Sequence, residues 1–200
     1  MLHAFKLIVV ALIGLGLGLG ATYHAVERGQ DRGLGVGLIF GAVKAGPWTG
    51  WPKTGTRESD PYARALFARN GETPIGLTEG LSFLARADSH ARPFDSACDY
   101  TVKGAIPAAR FWTLSALSPQ GRTLPAISER HGFTSSEILR DFDGGFEIKV
   151  SASARPGDWL EVAQGQPFVL MLRLYDTALS ANPYSVTAGV MPAIAREGCR

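Results

Sequence analysis

The sequence predicts an antiparallel β-sandwich with short helices only near its front, behind an apolar N-terminal span. Three observations predict it. Leu7 to Tyr23 is an uncharged run of seventeen residues. From Tyr100 onward the apolar pattern has a period of two, with turn-forming residues between the runs. Phe168 to Tyr175 (FVLMLRLY) is almost wholly apolar, as expected of a central strand buried on both faces.

The chain has 200 residues, 46% apolar and 19% charged, with a formal net charge of +2. That length sets an expectation of one domain. The balance excludes a disordered polyelectrolyte and gives no electrostatic basis for binding nucleic acid. Two cysteines and four scattered histidines do not make a zinc site. The sequence contains no Walker loop, G-x-S-x-G, H-E-x-x-H or G-x-G-x-x-G, so no cofactor or metal is expected.

With Phe5 and Ala25 to Val26, the first run approaches the roughly 20 residues that cross a bilayer core. It is a membrane anchor or a signal peptide, and the length favours the anchor; residues 1–26 are assigned to it. Its Gly14/Gly18 and Gly16/Gly20 pairs fit a helix-packing pattern, but equally an apolar filler. Lys6 precedes the run, while Arg28 and Arg32 follow among Glu27 and Asp31, so charge alone does not put the N-terminus inside. The cysteines decide the orientation. Cys98 and Cys199 suit a disulfide fixing a tail in an oxidising compartment, the alternative being two buried thiols.

Residues 27–59 read as a Gly- and Trp-rich linker. Eleven of the 24 glycines lie between Gly14 and Gly50, which marks the composition break. Leu34 to Val43 is apolar but too short to span. Trp48 and Trp51 could rest at lipid headgroups or plug an edge of the domain.

The sandwich is assigned to residues 60–200, about 140 residues and enough for a real core. Asp60-Pro61 opens a short helix that Asn70-Gly71 closes. Leu77 to Ala87 reads as a second helical or irregular stretch. Strands follow around Tyr100, Val102 and Gly104, and from Phe111 to Ala116. Ile138–Arg140 and Phe146–Ser151 flank D-F-D-G-G as a hairpin, with Phe146, Ile148 and Val150 on one side. Trp159-Leu160 is a short strand.

Several runs together carry a resemblance: Asp60-Pro61-Tyr62-x-Arg64-Ala65, Cys98-Asp99-Tyr100, Ala109 to Leu114, Asp143-Gly144, Trp159-Leu160, Leu172 to Tyr175, Met191 to Ile194, and Cys199. Over residues 46–200 the chain resembles the bacterial domain-of-unknown-function 1214 family, in its short membrane-anchored form. The resemblance implies a jelly-roll-like sandwich and supplies no catalytic residues. In longer relatives this domain follows a domain-of-unknown-function 1254 module; a separately encoded partner of that kind is therefore expected here. The expected location is the bacterial inner membrane, single-pass, with the domain in the periplasm.

Arg173 lies inside FVLMLRLY, where a charge is costly unless paired. It is either an ion pair with Glu147 or Asp143, or an anion anchor in a pocket between the sheets, with Tyr175 beside it. Tyr100, Trp112 and Trp159 could form an aromatic binding face, or core. Asp141 and Asp143 could suggest glycoside hydrolysis, but turn chemistry explains them better. Asp88-Ser89-His90 is no triad by adjacency, and His131 sits in a solvated turn. Two functions fit: a non-catalytic envelope module that docks a partner, or a small periplasmic hydrolase or binding protein acting on polysaccharide.

Overall fold

The apolar N-terminal run forms one helix, α1 (Leu2–Asp31), whose Phe5–His24 stretch is long and apolar enough to cross a membrane. From Phe5 to His24 its residues are exposed around the whole circumference. A Cβ added at Gly14, Gly16, Gly18 or Gly20 would meet nothing within 4 Å. The computed structural model describes residues 2–31, 41–70 and 73–199, and the chain divides into two compact units, residues 1–35 and 36–200. Arg32, the first seven residues of the apolar run at 34–43, and Gly71 lie outside the described residues.

The second unit is a two-sheet sandwich. The larger sheet contains β1 (Val43–Ala45), β2 (Trp48–Gly50), β3 (Gly80–Ala85), β5 (Ala109–Leu117), β6 (Gly132–Thr134) and β9 (Val169–Thr177). Its spatial order is β1-β2-β3-β9-β5-β6, antiparallel throughout. The smaller sheet contains β4 (Cys98–Gly104), β7 (Phe146–Ser151), β8 (Asp158–Glu161) and β10 (Ala193–Cys199), in the order β10-β4-β7-β8. The pair β7–β8 is parallel, the one departure from an antiparallel arrangement among the described strands. Residues 152–157 make that pairing possible. Six extended residues reach about 20 Å, enough to retreat the three or four positions needed to restart beside Ile148.

Alternation builds the core. Trp48, Phe83, Leu114, Leu170, Leu172 and Leu174 of the larger sheet meet Tyr100, Val102, Ile148, Val150, Leu160 and Ile194 of the smaller one, all nearly inaccessible. Each such side chain contributes roughly 1.5–3 kcal/mol by leaving water. On the opposite side of the larger sheet, Leu84, Val169 and Met171 are also buried but lie outside this core. β9 is therefore buried on both faces over Val169–Leu172, as its apolar run predicts, but at Arg173 and Tyr175 its outward side is only half-buried. Gly80 lets β3 approach β9: a Cβ there would sit 2.0 Å from the Leu174 carbonyl oxygen.

The helix opened by Pro61 is α2 (Pro61–Asn70), as expected. Three expectations change. Leu77 to Ala87 is a turn followed by β3, because Leu81, Phe83 and Ala85 alternate inward while both edges of the strand find partners in β2 and β9. Ile138–Arg140 is not the first arm of a hairpin. β7 already pairs with β4 and β8, leaving only an isolated Arg140–Phe146 bridge. The expected linker, 27–59, includes β1 and β2, and Trp48 is fully buried with its indole N–H donating to the Pro192 carbonyl at 2.7 Å. Of the two readings of Trp48, the structure shows the plugged edge.

Candidate functional site

Cys98 and Cys199 form a disulfide between directly opposed positions of β4 and β10. β10 is an edge strand, and the loop before β4 holds its far side. The Ser89 N–H donates to the Ile194 carbonyl, and the Ile194 N–H to the Ser89 hydroxyl, both at 2.9 Å. Beside them the Asp88 carboxylate is inaccessible. It accepts from the His90 and Arg92 backbone N–H groups at 2.9 and 3.0 Å and from Arg92 Nε at 2.7 Å, with Arg196 Nε 3.6 Å away. Burial acts to raise the Asp88 pKa, but the bonds from Arg92 and His90 outweigh it and hold it below the usual range. Asp88 and Ser89 thus organise a loop, and the exposed His90 forms no triad with them.

Arg173 pairs with neither Glu147 nor Asp143. It is half-buried on the outward side of the larger sheet, between Ser82 and Thr113 of the flanking strands, so its charge stays solvated. Tyr175 shares that side, its ring 5.8 Å from Phe111. Glu147 lies on the outward side of the other sheet, 2.8 Å from Lys149 and 3.0 Å from Lys103. Those two ammonium groups lower its pKa, Lys149 most. Asp143 accepts from the Gly145 N–H at 3.2 Å, so it serves its own turn. The four residues do not form one site.

The aromatic face does not form either. Tyr100 is buried under the Arg196 guanidinium, packed on Phe94 and Phe168, and its hydroxyl accepts from the Asp95 N–H at 2.7 Å. Trp112 is buried against Phe146. Only Trp159 is half-exposed, and its indole N–H donates to the Ser151 carbonyl at 3.0 Å. Period-two patterning marks which residues alternate, but not which face is wet.

A recess of roughly 410 Å³ lies at one end of the sandwich, where the chain crosses from β4 to β5. Residues 105–108 form one wall, and Ser135, Ser136, Arg140 and Gly144 the other, with Arg110, Phe111 and Trp112 between. Arg140 donates to the Gly144 and Ser135 carbonyls, both at 3.2 Å, and so ties the wall together. Among the described residues, the lining has hydroxyls and guanidiniums but no carboxylate, imidazole or thiol. Such a surface can hold a polar or anionic group; it offers no base to activate either serine.

Acids elsewhere, the buried Glu161 and the half-buried Asp158 and Asp99, have structural partners. Glu161 accepts from the Ser128 N–H at 2.8 Å, and Asp158 from the Leu139 N–H at 2.7 Å. Asp99 meets Ser151 Oγ at 2.6 Å and pairs with Arg155. Among the described residues, no group of three or more His, Cys, Asp or Glu side chains could hold a metal ion.

Residues 79–179, from just before β3 to the end of β9, match the model of a family described as "protein of unknown function (DUF1214)". The chain belongs to the DUF1214 family. The match includes both central strands of the larger sheet, β4, the recess and the loops beside β8. Among solved structures, the VPA0106 protein from Vibrio parahaemolyticus is similar in fold, with a TM-score of 0.54 and 20% identity. That similarity covers 68% of this chain and 35% of the Vibrio chain. An uncharacterized protein from Burkholderia cenocepacia gives a TM-score of 0.44 at 18% identity, covering 74% of this chain and 47% of the other. The DUF1214 chain thus spans less than half the length of either relative. No curated protein matches it.

Proposed function

We propose that this DUF1214 chain is a membrane-anchored, non-catalytic module of the bacterial envelope, docking a separately encoded partner of the domain-of-unknown-function 1254 type. α1 holds it in the inner membrane as a single span, with the sandwich in the periplasm. The observation that carries the non-catalytic part is the recess: two arginines and two serines line it, and Arg140 is bonded to backbone carbonyls. Asp176, the acid beside it, is 3.8 Å from Arg110 and is not bonded to a serine hydroxyl it could activate. A hydrolase would need a general base within hydrogen-bond reach of its nucleophile. Acids that could have served are bonded elsewhere: Asp88 to its loop, Glu161 to Ser128, Glu147 to two lysines.

Two further observations support docking in the envelope. The disulfide fits an oxidising compartment. In the Vibrio protein the matched part is only about a third of the chain, so there the fold shares its polypeptide with further sequence. A domain that contacts a neighbour needs a surface for it. If the neighbour is on another chain, that surface becomes an interface, and a shared membrane raises the effective concentration of both.

Purification of the anchored protein from its native membranes in mild detergent tests the proposal. A domain-of-unknown-function 1254 protein is expected to accompany it. Recovery of the chain alone, together with unaided cleavage of an envelope polysaccharide, would establish the hydrolase instead.

A further inference from the structure

Of the sandwich's large apolar side chains that are exposed, three lie on two loops beside one strand: Ile127 at 97% exposure, Leu139 at 69% and Phe142 at 111%. Both loops are fixed to that strand, one at each end. The backbone next to Ile127 is held by Glu161, through the Ser128 N–H, and the Leu139 N–H is held by Asp158. Asp158 and Glu161 are the two ends of β8, about 10 Å apart along the strand. Phe142 follows three residues after Leu139, at the tip of a turn built by Asp141, Asp143 and Gly144. An apolar residue at a solvated turn tip gains nothing for the fold. Three on the loops of one edge strand give that edge exposed apolar surface of the kind that binds.

The charges around the patch indicate what covers it. Between residues 127 and 143 there are four carboxylates, Glu129, Glu137, Asp141 and Asp143, against two guanidiniums, Arg130 and Arg140. Lys103, which feels both Asp141 and Asp143, still leaves the acids in excess. An anionic leaflet would repel such a rim. We propose that the β8 edge is the docking surface, a placement that rests on the docking function above. Its occupant is a protein partner with an apolar hollow for Phe142, rimmed by lysine or arginine.

Photocrosslinking of the full chain in native membranes tests this. A benzophenone amino acid replaces Ile127, Leu139 or Phe142 in turn, or, as controls, the exposed Tyr184 or Val190. The expected result is one common protein adduct from the three patch positions, at least about tenfold stronger than from the controls, as for an interface core against its surroundings. The crosslinked segment of the partner should be basic and apolar. With the probe at Leu139, Phe142→Asp should reduce the adduct about tenfold, and Glu129→Lys should weaken it in part. An unchanged disulfide and melting temperature would show that both variants fold. Protein adducts only from Tyr184 or Val190 would overturn the patch and leave docking intact. Adducts to lipid, or to a second copy of this chain, would overturn the proposed occupant. No protein adduct at any position would overturn both patch and docking.

Discussion

At the scale of single residues, the fold depends on a few polar groups buried with their partners. Asp88 has an inaccessible carboxylate that serves one loop and β10 at once. Asp88→Asn removes the charge that Arg92 and Arg196 face and should cost about 3 kcal/mol, measured by urea unfolding. Glu161 behaves similarly: burial opposes its charge, but the Ser128 and Ile127 backbone groups hold its pKa below the usual range. Both carboxylates therefore stabilise the fold fully above about pH 4, the ordinary range, and lose that contribution as pH falls through their lower folded values. Hydrogen exchange should show residues 88–92 and 126–130 opening on acidification below about pH 4, and Asp88→Asn should abolish the effect in the first loop only. Arg86 is the opposite case. One of its guanidinium nitrogens is buried without a hydrogen-bond partner, and desolvation lowers its pKa. Arg86→Met should leave stability unchanged or raise it by about 1 kcal/mol in the same unfolding assay. A loss of more than that would mean the guanidinium has a partner in solution. None of these three roles shows in the sequence, since each partner is set by a loop that local patterning does not specify. Arg173 was legible as a charge in an apolar strand, but not its exposure, which depends on which face of the sheet it takes.

At the scale of elements, strands with clean alternation could be read directly. The inward residues of β4, β5 and β7 and the double burial of the first half of β9 follow from their sequences. The missed elements have identifiable reasons. β3 packs apolar residues on both faces, so LSFLA shows no period. β1 and β2 have three residues each, too few for one. β10 is largely exposed and polar, with Ile194 the residue it contributes to the core. Such a strand stays in place through bonds rather than burial, and the disulfide closes a span of 101 residues. In a chain-entropy account, a loop of about 100 residues contributes at most about 4.7 kcal/mol. Cys199→Ser should therefore lower stability by up to that amount and speed amide exchange in β10 first, before β4. Equal exchange in wild type and variant would show that Ser89 and Asp88 suffice to hold the strand. Trp48 links the other end of the same region through the Pro192 carbonyl. Trp48→Ala should cost about 3–5 kcal/mol in thermal or urea unfolding.

At the scale of the whole molecule, the apolar helix, the β-sandwich and the cysteine pair were all legible. Each is a pattern that a single stretch or a single residue type displays. The recess and the β8 patch were not, because they assemble from segments that only the folded chain brings together. Phe142 had a local signal, an apolar residue inside D-F-D-G-G, but its meaning depends on Ile127 and Leu139 sharing the same edge. The central claim, proposed above, is that this DUF1214 chain acts by binding a partner protein and not by catalysis. Isothermal titration of the purified full chain, in detergent, with a purified domain-of-unknown-function 1254 protein from the same organism tests it most directly. The account predicts a one-to-one complex with a dissociation constant of about 1 μM or tighter, corresponding to about −8 kcal/mol, and marked weakening by Phe142→Asp. No heat of binding, together with polysaccharide cleavage by the chain alone, would contradict it.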